Sequence, residues 1–245
     1  MAAKAQVLTY KAFIRLMHKH IDVVIPAFNE SQAVGLVVRD IPKELVRHIV
    51  VVDNNSSDDT RAVAEGAGAI VISERKQGYG AACLKGLNYL ASLAEKPDIV
   101  VFVDADYSDY PQEMFQLVTP ILDENAELVI GSRSLGKSEK GSMMPQQVFG
   151  NWLATTMMKI LYGAKFTDLG PFRAITWRAL KEINMKDQDY GWTVEMQVKA
   201  LKSGISYTEI PVKYRKRKGV SKISGTIKGS VMAGYKIILT ILRYA

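Results

Sequence analysis

Short runs of aliphatic and β-branched residues recur through the first half of the chain, at 21–25, 48–52, 69–72, 98–103 and 127–130. Each run is almost continuously apolar rather than alternating, the texture of strands buried on both faces of a parallel sheet. Segments with helical character separate them, at 31–40, 58–67, 80–94 and 112–124. Ser57 or Asp58 can cap the second of these, and Pro111 suits the start of the fourth. Alternating strands and helices predict a doubly wound, mostly parallel α/β sheet. The second half changes texture: helices are predicted at 151–162, 177–183 and 193–202, and a strand at 207–214. Apolar Ile223, Ile227, Val231, Tyr235, Ile238 and Leu242 follow at spacings of three or four, which predicts a last amphipathic helix. The chain divides on this pattern into an N-terminal extension (1–20), an α/β body (21–215) and a basic segment with its amphipathic helix (216–245).

Composition adds boundaries. With 245 residues, 48% apolar and 23% charged, the chain is globular, which excludes global disorder, collagen-like repeats and coiled-coil rods. Cys83 is the only cysteine, so no intramolecular disulfide forms and a reducing compartment is expected. No apolar run reaches the ~18 residues of a membrane span, and residues 1–20 lack the cleavage signal of a secretory leader. The net charge of +7 is uneven. From Lys213 onward there are nine Lys or Arg and no Asp or Glu, while the rest of the chain is nearly neutral. A basic tail on a neutral body points to a localised anionic partner: phosphate, nucleic acid or a membrane surface.

Sheets of this class bind ligands beyond the carboxyl ends of their strands, and polar residues cluster at five such ends. Asp104-Ala-Asp106 closes the most hydrophobic run. Two carboxylates there are costly unless something positive satisfies them, and oxygen ligands on a turn suit Mg²⁺ or Mn²⁺ bridging to phosphates; a solvated turn is the plainer reading. Asp53 can accept hydrogen bonds from a ribose hydroxyl or base, or form an Asx turn. Gly78-Tyr-Gly80 opens a helix carrying Lys85, where backbone can approach phosphate, or simply turn. Arg133 and Arg173 each follow a glycine turn and can grip phosphate bidentately or pair with acids, Arg173 with Asp168. Glu195 sits among apolar neighbours near a helix start, a candidate base or substrate clamp, or a carboxylate favoured by the helix dipole. The basic run 214–222 is either a solvated loop or an anion-capturing segment ahead of an interfacial helix.

Together, Val24-Ile-Pro-Ala-Phe-Asn-Glu30, Val51-Val-Asp-Asn-Asn-Ser-Ser-Asp-Asp-Thr60, Gly78-Tyr-Gly-Ala-Ala82, Asp104-Ala-Asp106, Gly131-Ser-Arg133, Asp168-Leu-Gly-Pro-Phe-Arg173 and Arg217-Lys-Gly-Val-Ser-Lys222 resemble the family 2 glycosyltransferases. The similarity is to the branch of dolichyl-phosphate and polyprenyl-phosphate sugar synthases, over about residues 21–228. The resemblance implies a GT-A-like nucleotide-sugar fold and an inverting transfer. It implies that Pro26, Ala27, Phe28, Glu30 and Asp53 hold the donor's base and ribose. Gly78, Gly80, Lys85 and Ala105 complete the donor site, Asp104 and Asp106 carry Mg²⁺ or Mn²⁺, and Arg133, Arg173, Arg217 and Lys222 hold acceptor phosphate and donor diphosphate. Two positions depart from the pattern: Ser108 stands where relatives often carry Gln, and Asn54 where many carry a second Asp.

These readings converge on a metal-dependent hexosyltransferase that takes a UDP- or GDP-sugar to a polyprenyl or dolichyl phosphate. It is expected to be cytoplasmic, peripheral on the inner face of the cell membrane, and to serve cell-envelope synthesis. A phosphate acceptor is already anionic and needs no strong base; a sugar-hydroxyl acceptor, the alternative, requires one, with Glu195 and Asp168 as candidates. A nucleic-acid binder using the basic tail is the reading from another class. Strand-end carboxylates would repel nucleic-acid phosphate and no nucleic-acid motif is present, so no nucleic-acid partner is expected.

Overall fold

β1 (Ile21–Ala27) carries seven consecutive buried side chains, and the reason is its position. It pairs in parallel with β2 (His48–Asp53) on one side and β4 (Ile99–Phe102) on the other, and helices cover both faces. In the computed structural model, which describes residues 18–219 and 227–244, seven strands form one sheet in the order β3-β2-β1-β4-β6-β5-β7. β3 (Ile70–Ser73), β5 (Leu128–Ser132), β6 (Arg173–Thr176) and β7 (Tyr207–Pro211) complete it. β6 runs antiparallel to both β4 and β5, and the other pairings are parallel.

Strand side chains alternate between faces, which gives the sheet two cores. Val24, Val50, Val52, Val100 and Phe102 point to one face. There they meet α3 (Tyr79–Ser92), α5 (Pro145–Tyr162), α6 (Trp177–Ile183), α7 (Trp192–Lys202) and α8 (Ile227–Tyr244). Val23, Ile25, Ile49, Val51 and Val101 point the other way, onto α1 (Val34–Asp40), α2 (Thr60–Gly66) and α4 (Met114–Leu122). α3 lies unusually close to the sheet: a Cβ on Gly86 would come within 2.6 Å of Val24 Cγ1, so glycine is required there.

The strand–helix alternation expected of residues 21–132 is present within a few residues at each boundary. Two elements differ. The four-residue β6 has no apolar run of its own and follows Gly170-Pro171, so the region reads as a turn; only pairing with β4 and β5 makes it a strand. α5 begins six residues before its predicted start, because Gly150 and the polar first turn mask it, while Pro145 at its head favours it.

Of the predicted apolar stripe, Ile223 lies outside the described residues, and so do the side chains of Ile227 and Val231. The described part of α8 packs on the body. Thr240 and Ile241 are buried, Tyr162 donates to Ile241 O at 2.8 Å and Lys202 to Tyr244 O at 2.6 Å. Met232, Tyr235, Leu239 and Leu242 are exposed on its other side. Among the described residues no helix is long and apolar enough to cross a membrane.

Candidate active site

The strand ends open into one cleft of about 1100 Å³. Pro26 and Ala27 end β1, Phe28 follows them, and all three line it. Their loop is knitted to the next one: Glu30 N donates to Thr60 Oγ1 at 2.7 Å, Ser57 N to Asn29 Oδ1 at 2.8 Å, and Ser31 N to Asp58 Oδ2 at 3.2 Å. Asn29 takes a left-handed backbone (φ 53°) to make this turn. Asp53 ends β2 buried, with Oδ1 turned back onto the Ser56 amide at 3.1 Å, an Asx turn rather than a cleft wall.

Asn54 lines the cleft instead. Its Nδ2 donates to Glu74 O and Lys76 O, at 3.0 and 2.7 Å, and its Oδ1 accepts from Gly78 N at 2.8 Å. An amide can satisfy donors and acceptors at once, which a carboxylate cannot. Asn54 therefore ties the β3–α3 loop in a way that a second Asp would not. The sequence marks this position only as a departure from the family's pattern.

Asp104 and Asp106 stand beyond β4 with Ala105 between them, all three on the cleft wall. Tyr79 donates to Asp104 Oδ1 at 3.0 Å. Burial, and then the charge of Asp106, push the Asp104 carboxyl up from its ordinary 3.8 to about 7. Asp106 Oδ1 accepts from the amide and hydroxyl of Ser108, at 2.9 and 2.5 Å. Asp106 Oδ2 lies 3.2 Å from an Arg217 nitrogen, and the same guanidinium reaches Glu30 Oε1 at 2.5 Å. Arg217 is thus seated on the acidic pair as a counter-cation. The segment carrying it is held by backbone bonds from Lys218 N to Asp106 O and from Arg215 N to Ser108 O, each 2.9 Å. Arg215 is packed between Tyr107 and Tyr110, 3.4 and 4.2 Å from their ring centroids. Within the basic run, then, Arg215 is structural and Arg217 faces the cleft. Lys222 lies outside the described residues.

A third carboxyl, Asp109, is buried behind this pair. Burial, followed by the charges of Asp104 and Asp106, holds it well above the ordinary carboxylate range. It was not singled out by the sequence, where it sits in a turn-like Tyr-Ser-Asp-Tyr-Pro run.

Arg133 reaches the cleft wall, and one edge of its guanidinium is engaged. Nε and Nη2 grip the fully buried Asp168 at 2.8 and 2.6 Å, and the Arg133 amide adds a third bond of 2.7 Å. Glu209 in turn fixes the amides of Thr167 and Asp168. The acid pairs with Arg133, not Arg173.

Arg173 does not face the cleft. It is fully buried, donates to the carbonyls of Leu169, Gly170 and Thr193, and is lowered to about 10 by burial. Its guanidinium braces the 169–170 turn in place of holding phosphate.

Three further expectations meet a different geometry. Glu195 is buried away from the cleft and accepts from the Lys186 and Asp187 amides, at 3.1 and 2.7 Å, and from Tyr244 Oη at 3.0 Å; Lys199 Nζ lies 2.8 Å away. Burial alone would raise its carboxyl, but Lys199 and the amides hold it below the ordinary range. Gly78 lines the cleft and Gly80 does not, and both glycines face the 187–188 backbone. A Cβ on Gly80 would come within 2.1 Å of Asp187 O, and one on Gly78 within 2.2 Å of Gln188 O, so these glycines admit the 187–188 backbone. Lys85 points into a separate shallow hollow with Arg61, Ser73 and Tyr89.

The far end of the cleft is built by the second half. Gln147 and Asn151 of α5, Asp189, Tyr190 and Thr193 around the start of α7, and Ile237 of α8 line it. α5 and α8 both border it, and their outer surfaces expose Val148, Phe149, Trp152 and Ile160 on one helix and Met232, Tyr235, Leu239 and Leu242 on the other.

The likeness to known proteins follows this geometry. The chain is 33% identical over 215 residues to an uncharacterised glycosyltransferase of Mycobacterium tuberculosis, across 87% of this chain and 94% of that one. It is 30% identical over 218 residues to the polyprenol monophosphomannose synthase of Mycolicibacterium smegmatis, across 83% and 81% of the two chains. The fold matches a crystal structure of glucosyl-3-phosphoglycerate synthase from M. tuberculosis holding Mn²⁺, UDP-glucose and phosphoglyceric acid, with a TM-score of 0.78, 22% identity, and 99% and 85% of the chains covered. The family model described as glycosyl transferase family 2 matches residues 22–183, the stretch that carries β1 to β6 and the acidic pair. The chain belongs to glycosyl transferase family 2.

Proposed function

We propose that this glycosyltransferase moves a hexose from a nucleotide sugar to the phosphate of a polyprenyl or dolichyl carrier, at the inner face of the cell membrane. One observation carries the reading: a single cleft is lined both by an acidic pair beyond the end of β4 and by two helices whose outer surfaces expose apolar side chains. The polyprenol phosphate named for the Mycolicibacterium relative supports that acceptor class.

The residues present fit a divalent cation. The acidic pair already hosts a positive group, the Arg217 guanidinium. Among the described residues no cluster of three or more His, Cys, Asp or Glu side chains could hold a metal, so the donor set suits an ion completed by substrate oxygens. Asp104 and Asp106 would hold Mg²⁺ or Mn²⁺, which when bound offsets charge on the nucleoside diphosphate leaving group.

The chain's own side chains do the rest. The Pro26–Phe28 loop and Asn54 wall the end where base and ribose bind. Arg217, on leaving Asp106 and Glu30, brings its charge to phosphate oxygens. The two carboxylates considered as bases are tied up, Asp168 by Arg133 and Glu195 by Lys199 and backbone amides. That favours an acceptor that arrives already anionic, with catalysis resting on positioning and charge stabilisation. The exposed apolar side chains of α5 and α8, with the exposed Lys159 on α5, suit an anionic lipid surface.

The test is transfer from UDP-glucose and GDP-mannose, with Mn²⁺, to polyprenyl phosphate against free sugars. Product on the lipid phosphate alone is expected. Product only on free sugars would replace this reading with the hydroxyl-acceptor one.

A further inference from the structure

Residues 187–191 form a turn held from four directions. Ala81 N donates to Gln188 O at 2.9 Å, and Gly78 and Gly80 let the 187–188 backbone seat against the first turn of α3. Glu195 accepts the Lys186 and Asp187 amides from beneath. Asp187 Oδ1 accepts from the amides of Asp189 and Gly191, at 2.8 and 3.2 Å, and Asp187 Oδ2 pairs with Lys236 of α8 at 3.2 Å. A turn so constrained presents its remaining side chains in one geometry, and Asp189 and Tyr190 are the two that line the cleft.

The position of this turn is fixed relative to the acidic pair. Tyr79, between the two glycines, reaches Asp104 Oδ1. Trp192, just after the turn, packs edge-on against Phe102 with centroids 5.9 Å apart, and Phe102 precedes Asp104 by two residues. The turn therefore sits beside Asp104 on the face of the sheet that carries α3 and α7. The 28–31 loop is bonded to the 56–60 loop and belongs to the opposite face, with α1 and α2. A nucleotide sugar with its nucleoside against the 26–30 loop and its diphosphate at Asp104 and Asp106 thus directs its sugar towards residues 189 and 190. Asp189 is a partly buried carboxylate, whose acceptor oxygens match hydroxyl donors. Its carboxyl is raised by burial and by Asp187, with Lys236 opposing.

We infer that Asp189 grips the donor sugar, accepting hydrogen bonds from its hydroxyls and so selecting among hexoses. This rests on the nucleotide-sugar reading of the cleft. The test is calorimetry with Mn²⁺ on the wild type, Asp189→Ala and Asp189→Asn, using UDP and GDP beside UDP-glucose and GDP-mannose. Losing a charge-assisted hydrogen bond is expected to weaken the nucleotide sugar at least about tenfold in Asp189→Ala, and less in Asp189→Asn. The matching nucleoside diphosphate should bind both variants within about twofold of wild type. Equal loss of sugar-bearing and sugar-free nucleotide would overturn the assignment, as would no loss of either. Unchanged binding with lost turnover would also overturn it, by making Asp189 a base. If the wild type bound no nucleotide sugar, the functional reading itself would fall, a result distinct from all of these.

Discussion

Residues 21–132 reach the cleft through strand ends, whereas residues 133–244 reach it through side chains that return across it from elsewhere. In the first region the chemistry is sequential: Pro26 to Glu30, Asn54, and Asp104 to Asp106 each lie just past a strand whose apolar run is visible in the sequence. In the second, Arg133 depends on Asp168, Arg217 on Glu30 and Asp106, and the 187–191 turn on glycines more than a hundred residues away. The first region supplies negative charge and a rigid platform. The second supplies Arg133, Arg217 and the walls, Asp189 among them, at positions that only the fold defines.

The comparison breaks most severely at Asp168. With Asp168→Ala, Arg133 keeps a largely buried charge without its partner. Loss of about 3–5 kcal/mol of stability is expected, read as a lower denaturation midpoint in urea. A loss below about 1 kcal/mol would mean that Arg133 turns to solvent and the second region is looser than its bonding suggests.

Asp104 gives a smaller effect with a definite sign. Its carboxyl sits near 7 in the folded protein against an ordinary 3.8, so the folded state keeps a proton that the unfolded chain releases. Stability from this group is present below about pH 4 and is lost as pH rises towards 7, by up to about 1.4 kcal/mol per pH unit. Depressed carboxylates such as Asp58, Asp98 and Glu195 are ionised in both states above pH 5, so they do not mask that slope. Melting of the metal-free protein between pH 5 and 7 should fall with pH, and Asp104→Asn should flatten the curve. A slope unchanged in the variant would assign the effect elsewhere, with Asp109 first in line.

The smallest expected change concerns the outer surface. Replacing Phe149, Trp152 and Tyr235 by Ser removes the exposed aromatic side chains that α5 and α8 offer. Association with vesicles rich in anionic lipid should fall several-fold without a change in melting point. Undiminished association would move the lipid contact to another face.

How much of this was legible follows from the same contrast. Periodicity gave the parallel strands and their order of charge, because a strand buried on both faces must be continuously apolar. It could not give β6, whose four residues become a strand only between β4 and β5. The acidic pair was readable as costly charge at the end of an apolar run. Glu195 and Arg173 were misread for one reason: burial beside a helix start or a glycine turn looks the same whether a side chain serves substrate or backbone. Only its partners distinguish the two, and those partners are the amides of Lys186 and Asp187 in one case and the carbonyls of Leu169 and Gly170 in the other. The glycines at 78 and 80 mark a close approach of backbone in the sequence, but the sequence does not show that one partner is a backbone over a hundred residues away.

The most direct measurement is calorimetric titration of UDP and GDP into the wild type and Asp106→Asn, with and without Mn²⁺. One nucleotide is expected to bind the wild type only when Mn²⁺ is present, and Asp106→Asn to lose this uptake by about 100-fold or more while melting as a folded protein. Equal nucleotide binding without the cation, or in the variant, would contradict the metal-dependent reading.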